Sequence, residues 1–206
     1  RTIRELMKEL GAGAVLSKPT RENDRASAIL GRISEMKREG IAPEDLEKCV
    51  PAFRSEIGVT KNGKERDKNS QSYKDDLRLV QQCEEFIQLY RGYNQQLKES
   101  HRYDYEDMVL VTIDALKQHD WLLAGLQERY QYVLVDEYQD LNGAQNRVIE
   151  TLTKDSPTGN EPNVFVVGDD DQAIYRFQGA SITNMRSFLD RFPQAKRSEE
   201  HTSELQ

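Results

Sequence analysis

Apolar positions recur along the first half of the chain at steps of three and four, with polar residues filling the opposite side of a helical wheel. Ile3, Leu6, Met7 and Leu10 set this rhythm first, and Gly11-Ala12-Gly13 ends it. After a break at Lys18-Pro19-Thr20, residues 21–39 carry Ile29, Leu30, Ile33 and Met36 on one face, with Gly40 as the stop. Pro43 suits a first helical turn, and a short helix is expected from there to Pro51. Residues 58–70, centred on Lys61-Asn62-Gly63-Lys64, read as a polar loop and as the stretch expected to flex. Ser72 with Asp75 predicts a capping-box start for a long helix. Its stripe of Leu79, Cys83, Phe86, Tyr90, Tyr93 and Leu97 reads as core packing rather than a base-stacking surface. Asp104 and Asp107 repeat the capping pattern ahead of Tyr105, Met108, Val109, Thr112, Ile113 and Leu116. A further short helix is expected over residues 121–129.

The rhythm changes at Tyr132. Val133-Leu134-Val135 runs into Asp136-Glu137, and later Val164-Phe165-Val166-Val167 runs into Gly168-Asp169. Short β-branched runs that break into acids are the pattern of fully buried parallel strands delivering carboxylates to the carboxyl edge of a sheet. Ligands of open α/β sheets bind at that edge. Between the two runs, Asn142 can cap a helix carrying Val148, Ile149 and Leu152, and residues 154–162 form a turn-rich linker. A last helix over residues 181–191 is expected to bury Met185, Phe188, Leu189 and Phe192. The pattern predicts a helical first half and an α/β second half, without internal repeats.

The totals narrow the class. A chain of 206 residues can bury one domain, or one domain with a smaller lobe. Its 32% charged residues fit a well-solvated, helix-rich protein, and no run approaches the ~20 apolar residues that cross a bilayer. Cys49 and Cys83 lack metal-site spacing and read as reduced thiols of a cytoplasmic protein. A net charge of −7 argues against binding nucleic acid by bulk electrostatics, although basic residues within 21–38 and 61–68 leave room for a local groove. The last nine residues, SEEHTSELQ (198–206), bear no relation to the rest of the chain. They resemble translated sequencing-adapter read-through and are expected to be foreign to the fold.

The chemistry concentrates in the acids. A strand ending in Asp136-Glu137 beside another ending in Asp169 suits Mg²⁺-assisted phosphoryl transfer, since a hard cation takes one or two carboxylates together with phosphate oxygens and waters. Asp136 would hold the ion, and Glu137 would polarise a water for in-line attack on a γ-phosphate. Gln172 carries a neutral amide able to bond a phosphate or the attacking water. The bland alternative is that acids simply end strands on a wet sheet edge.

These residues resemble a known family. Asp136-Glu137-Tyr138-Gln139-Asp140-Leu141-Asn142, with Gln145, is similar to the second motif of superfamily-one DNA helicases of the UvrD/Rep/PcrA class. Residues 167–180, VGDDDQAIYRFQGA, resemble their third motif along nearly its whole length. Asp104-Tyr105-Glu106-Asp107-Met108-Val109 resembles the segment where the chain returns from the helical insertion to the first motor domain. The resemblance covers residues 104–196 and, more loosely, 26–51. It implies a partial RecA-like P-loop NTPase domain (101–197) with parallel strands, preceded by part of a mostly α-helical insertion subdomain (1–100). It also implies ATP and Mg²⁺ as cofactors and single-stranded or partly duplex DNA as partner, in a bacterial cytoplasm, the fragment itself being monomeric. By the same resemblance Asp136 coordinates the metal and Glu137 is the catalytic base. Gln172 contacts the γ-phosphate and transmits its loss, and Tyr175 and Phe177 occupy the aromatic positions where relatives stack a base.

The departures matter as much. Gln178 stands where many relatives carry Arg, and no G-x-x-x-x-G-K-[ST] cradle occurs in these residues. The sequence is therefore expected to be an internal piece of a 3′–5′ helicase, inactive alone, whose phosphate cradle lies upstream. A sheet lacking that strand would expose an edge that invites aggregation. Three other readings remain open: the helicase half of an AddA/RecB-type helicase-nuclease, a non-hydrolysing DNA-binding module, and a metal-dependent nuclease using Asp136, Glu137, Asp169 and Asp171.

Overall fold

Local signals in the sequence become seven helices and two short strands among the residues that the computed structural model describes, namely 3–11, 14–16, 22–59, 65–154, 163–169 and 188–198. Helix α1 (Ile3–Glu9) and helix α2 (Glu22–Arg38) bring Ile3, Leu6, Met7, Ala26, Ile29 and Ile33 against Leu89 and Tyr90 of α4 (Gln71–Glu99), forming the core of the helical half. Gly40 ends α2 in the left-handed region (φ +65°), with its N–H bonded to Lys37 O and the Ile41 N–H to Met36 O. That pair of bonds is a Schellman closure, which satisfies carbonyls the helix would otherwise leave open.

Several expectations shift here. Helix α3 (Pro43–Ile57) does not stop at Pro51 but runs through it. An interior proline loses its own N–H and crowds the carbonyl four residues back, but α3 is held along α4, where Ile57 is buried. Helix α4 begins a fraction of a turn earlier than expected, because Ser70, not Ser72, accepts the Tyr73 N–H as cap. The Ser72 hydroxyl instead accepts from Arg66, whose other nitrogen pairs with Asp76 at 2.6 Å. The α4 stripe holds in part: Tyr90 is buried and Phe86 and Tyr93 pack against the core, but Leu79 is 46% exposed while its neighbour Val80 is 2% exposed. Covered by α1 on one side and α3 on another, α4 buries Val80, Glu85, Ile87, Leu89 and Tyr90 rather than one narrow seam. Buried Glu85 accepts the N–H groups of Val15 and Leu16 at 2.9 and 2.8 Å, pinning the segment after α1. Residues 60–64 of the polar loop lie outside the described residues; its base is closed by the Val59–Glu65 bridge.

Helix α5 (Tyr105–Gln118) starts with the expected capping box, in which Asp104 and Asp107 each accept the other's backbone N–H. The two caps have a second task. Lys37 of α2, only 1% exposed, places Nζ 2.6 Å from Asp104 and 2.7 Å from Asp107, with the Tyr93 ring 5.0 Å away. Nearby, Ser34 and Arg38 both donate to Glu106. This junction ties α2 of the helical half to the start of α5. Burial works to raise the Asp104 carboxyl, but the Lys37 hydrogen bond and charge, with the Asp107 N–H, outweigh it and hold the group below its ordinary value.

Helix α6 (Asp120–Arg129) leads to strand β1 (Val133–Val135), helix α7 (Gly143–Thr153) and strand β2 (Val164–Val166). The strands pair in parallel, with Val133 opposite Val164 and Val135 opposite Val166. The expectation of fully buried strands is overturned. Leu134 is 74% exposed and Phe165 62%, because the described helices leave one face of the sheet uncovered. Helix α7 meets the end of α2 closely at Gly143. A methyl group on Gly143 would sit 2.7 Å from the Glu39 carboxylate and 2.9 Å from its carbonyl, and Arg147 of α7 donates to the Gly40 carbonyl. Of the expected last helix, residues 188–191 are described as helical; Phe188 is buried, whereas Leu189 is exposed, and Met185 lies outside the described residues.

Candidate nucleotide site at the strand ends

Parallel pairing continues one residue past the strands, since the Val167 N–H reaches Val135 O at 2.8 Å and the Tyr138 N–H reaches Val167 O at 2.9 Å. Between those two bonds the first strand emits Asp136 and Glu137, and beyond them the second emits Gly168 and Asp169. All three acids are exposed at the same edge of the sheet. Glu137 adopts φ +49° and ψ +44°, the left-handed region that a non-glycine residue enters at some cost in strain. The Asp136 carboxylate accepts the Glu137 N–H at 3.0 Å, which supports that turn. The chain then folds into a 3-10 turn (Tyr138–Asp140) and reaches Asn142, which caps α7 by mutual bonds with Gln145.

Tyr138 anchors the turn from below. It is buried edge-on against Phe188 with ring centroids 5.4 Å apart, and burial pushes its phenol above the usual value. Gln139, 2% exposed, faces the other way along the sheet end. Its Nε2 donates to Glu137 Oε2 at 2.6 Å, while its Oε1 accepts the Asp169 N–H at 3.0 Å. Gly168 lets that amide in: a Cβ there would stand 2.5 Å from Gln139 Oε1. Sequence reading assigned no role to Gln139 or Gly168. Their partners lie across the sheet, and the one available signal was a glutamine set between two acids directly after an apolar strand.

The structure therefore brings Asp136, Glu137 and Asp169 together. Gln172, Tyr175 and Phe177, together with Asp171 and Gln178, lie outside the described residues. Among the described residues no three His, Cys, Asp or Glu side chains form a cage for a metal ion. An exposed carboxylate at a strand end fits the other mode, in which a magnesium ion keeps several waters and shares phosphate oxygens with one or two acids. Both cysteines are free thiols, as their spacing predicted. No described helix is long and apolar enough to cross a membrane.

The chain belongs to the UvrD/REP helicase family, whose N-terminal domain it matches over residues 1–193. The motif resemblance thus extends through the helical half as well. Among individual proteins it is similar to the ATP-dependent DNA helicase PcrA of Staphylococcus epidermidis, at 32% identity over 168 residues, or 82% of this chain. The PcrA helicase of Staphylococcus aureus is 30% identical over 167 residues, 81% of this chain. The chain spans 18% of the length of each of these relatives.

Proposed function

We propose that these residues belong to an ATP-dependent DNA helicase of the UvrD type, which couples Mg-ATP hydrolysis to 3′–5′ movement on single-stranded DNA in repair or recombination. Residues 1–100 are then part of the helical insertion, and residues 101–197 are the later half of a RecA-like motor domain. The observation that carries this reading is the in-register parallel pairing of β1 with β2, which sets Asp136, Glu137 and Asp169 at one sheet edge in a helicase-family chain. That edge is where α/β sheets bind ligands.

Asp136 would hold a magnesium ion, which would supply positive charge to offset that of the phosphate oxygens. Glu137 accepts a proton from a water whose oxygen bonds to the γ-phosphorus as the bond to the departing ADP oxygen breaks. Gln172 contacts the γ-phosphate and responds to its loss. Tyr175 and Phe177 offer faces to the bases, a contact of ~1–3 kcal/mol per base that tolerates any sequence, as a translocating motor requires. These last three roles rest on the motif resemblance. The partners are ATP and single-stranded or partly duplex DNA, and the setting is the bacterial cytoplasm.

The test is ATP turnover by the complete helicase, with and without single-stranded DNA. Wild-type turnover is expected to rise with DNA, and Glu137→Gln is expected to lower it by roughly 10²- to 10⁴-fold. Full turnover in that variant would remove Glu137 from the mechanism.

A further inference from the structure

Glu137 poses a problem that its own motif does not solve. A general base must hold its carboxylate in one place to accept a proton along a productive line, yet this one is exposed and sits on strained backbone. We infer that Gln139 is the positioning residue for Glu137, and that it fixes the carboxylate relative to the end of β2. The inference rests on the proposed role of Glu137 as base.

Three observations support it. First, the orientation of the Gln139 amide is unambiguous. A backbone N–H can only donate and a carboxylate can only accept, so Oε1 must face Asp169 N and Nε2 must face Glu137 Oε2, as they do at 3.0 and 2.6 Å. Second, Gln139 is buried and its approach is cut to measure by Gly168, where any side chain would displace Oε1. The amide is therefore held on both sides while the carboxylate it grips remains exposed. Third, the donor is neutral. A lysine or arginine in this place would fix Glu137 equally well, but its charge would stabilise the carboxylate and weaken it as a base. An amide orients the group with a smaller loss of basicity. The same bond makes the placement of Glu137 depend on the main chain at Asp169, so a shift at the end of β2 moves the base.

The test uses the complete helicase with two replacements. Gln139→Met keeps length and burial but removes both bonds. It is expected to lower kcat for DNA-stimulated ATP hydrolysis by roughly 10- to 100-fold with KM for ATP unchanged, the effect of a displaced catalytic group. Gln139→Glu keeps an acceptor for the Asp169 N–H, and hence the turn, but sets a second carboxylate against Glu137. Two carboxylates this close share a proton, so one of them titrates at raised pH. Turnover is expected to be low at alkaline pH and to recover toward acid, where the protonated replacement donates again; a purely structural role would not give that reversed profile. Wild-type kcat and pH profile in both variants would overturn the inference, as would a loss confined to KM. If Glu137→Gln abolishes turnover while both Gln139 variants are normal, the positioning role fails and the base survives. Full turnover in Glu137→Gln overturns both.

Discussion

Two acidic clusters in this molecule are built in opposite ways. At the junction of α2 with α5, Asp104 and Asp107 cap a helix, share Lys37 and retreat from water. At the strand ends, Asp136, Glu137 and Asp169 stay exposed, and among the described residues the side chain that donates to the Glu137 carboxylate is an uncharged amide. Acids whose work is to hold helices together are neutralised by a partner of opposite charge. At the strand ends, Glu137 is oriented by a neutral amide and by a bond of its own N–H to Asp136. The difference lies in the partners, since both clusters are rich in carboxylates.

Replacement of the central residue on each side should separate the two designs. At the strand ends the largest effect is on rate, and Glu137→Gln should abolish most turnover while leaving the melting curve in place. At the junction the effect is on the fold. Lys37→Met removes a buried cation and leaves two carboxylates uncompensated, a change expected to cost about 3–5 kcal/mol in urea unfolding. An unchanged unfolding midpoint would erase the contrast. Gly168→Ala is expected to cost about 1–3 kcal/mol, because its methyl group overlaps Gln139 Oε1, and to slow turnover as well. The control is Gly31→Ala in α2, where nothing lies within 4 Å of the new methyl group, and which should gain about 0.5–1 kcal/mol. Equal effects at the two glycines would show that Gly168 is not closely packed.

The smallest effect is on pH dependence. The Asp104 carboxyl is held below its ordinary 3.8, so its contribution to stability is present above that value and fades as pH falls through the lower folded one. Tyr93 is pushed up to about 12, by burial first and by Asp104 next, so its contribution is present below pH 10.0 and fades between there and about 12. The junction therefore predicts a stability plateau between those limits, measurable as the urea midpoint across pH. A midpoint that changed steeply near neutrality would point to other groups.

Features written in neighbouring residues were legible in the sequence. The boxes of Asp104 with Asp107 and of Asn142 with Gln145, the Gly40 stop and the two strand cores all depend on groups within a turn of one another. Ser72 was mistaken for Ser70 because two serines in the same turn offer the same hydroxyl, and distant Arg66 decides between them. Leu79 was mistaken for Val80 because one periodic stripe cannot describe a helix covered from two sides. The acids of the candidate site were visible, whereas the groups that orient them were not. Gln139 bonds across the sheet to Asp169, and Lys37 bonds to Asp104 from another helix. Neither pairing leaves a trace in the local pattern. The exposed sheet face was missed for a similar reason, since Leu134 and Phe165 look like any buried strand residue when nothing says what covers them.

The close contact between α2 and α7 also bears on the sheet edge. A side chain at 143 would meet both the Glu39 carboxylate and the Glu39 main chain, so glycine is what lets the start of α7 come this close to the end of α2. Asn142, which begins that helix, is separated from Glu137 by a single short turn. The helical half and the acids at the sheet edge are thus joined by one close approach and one short turn of chain.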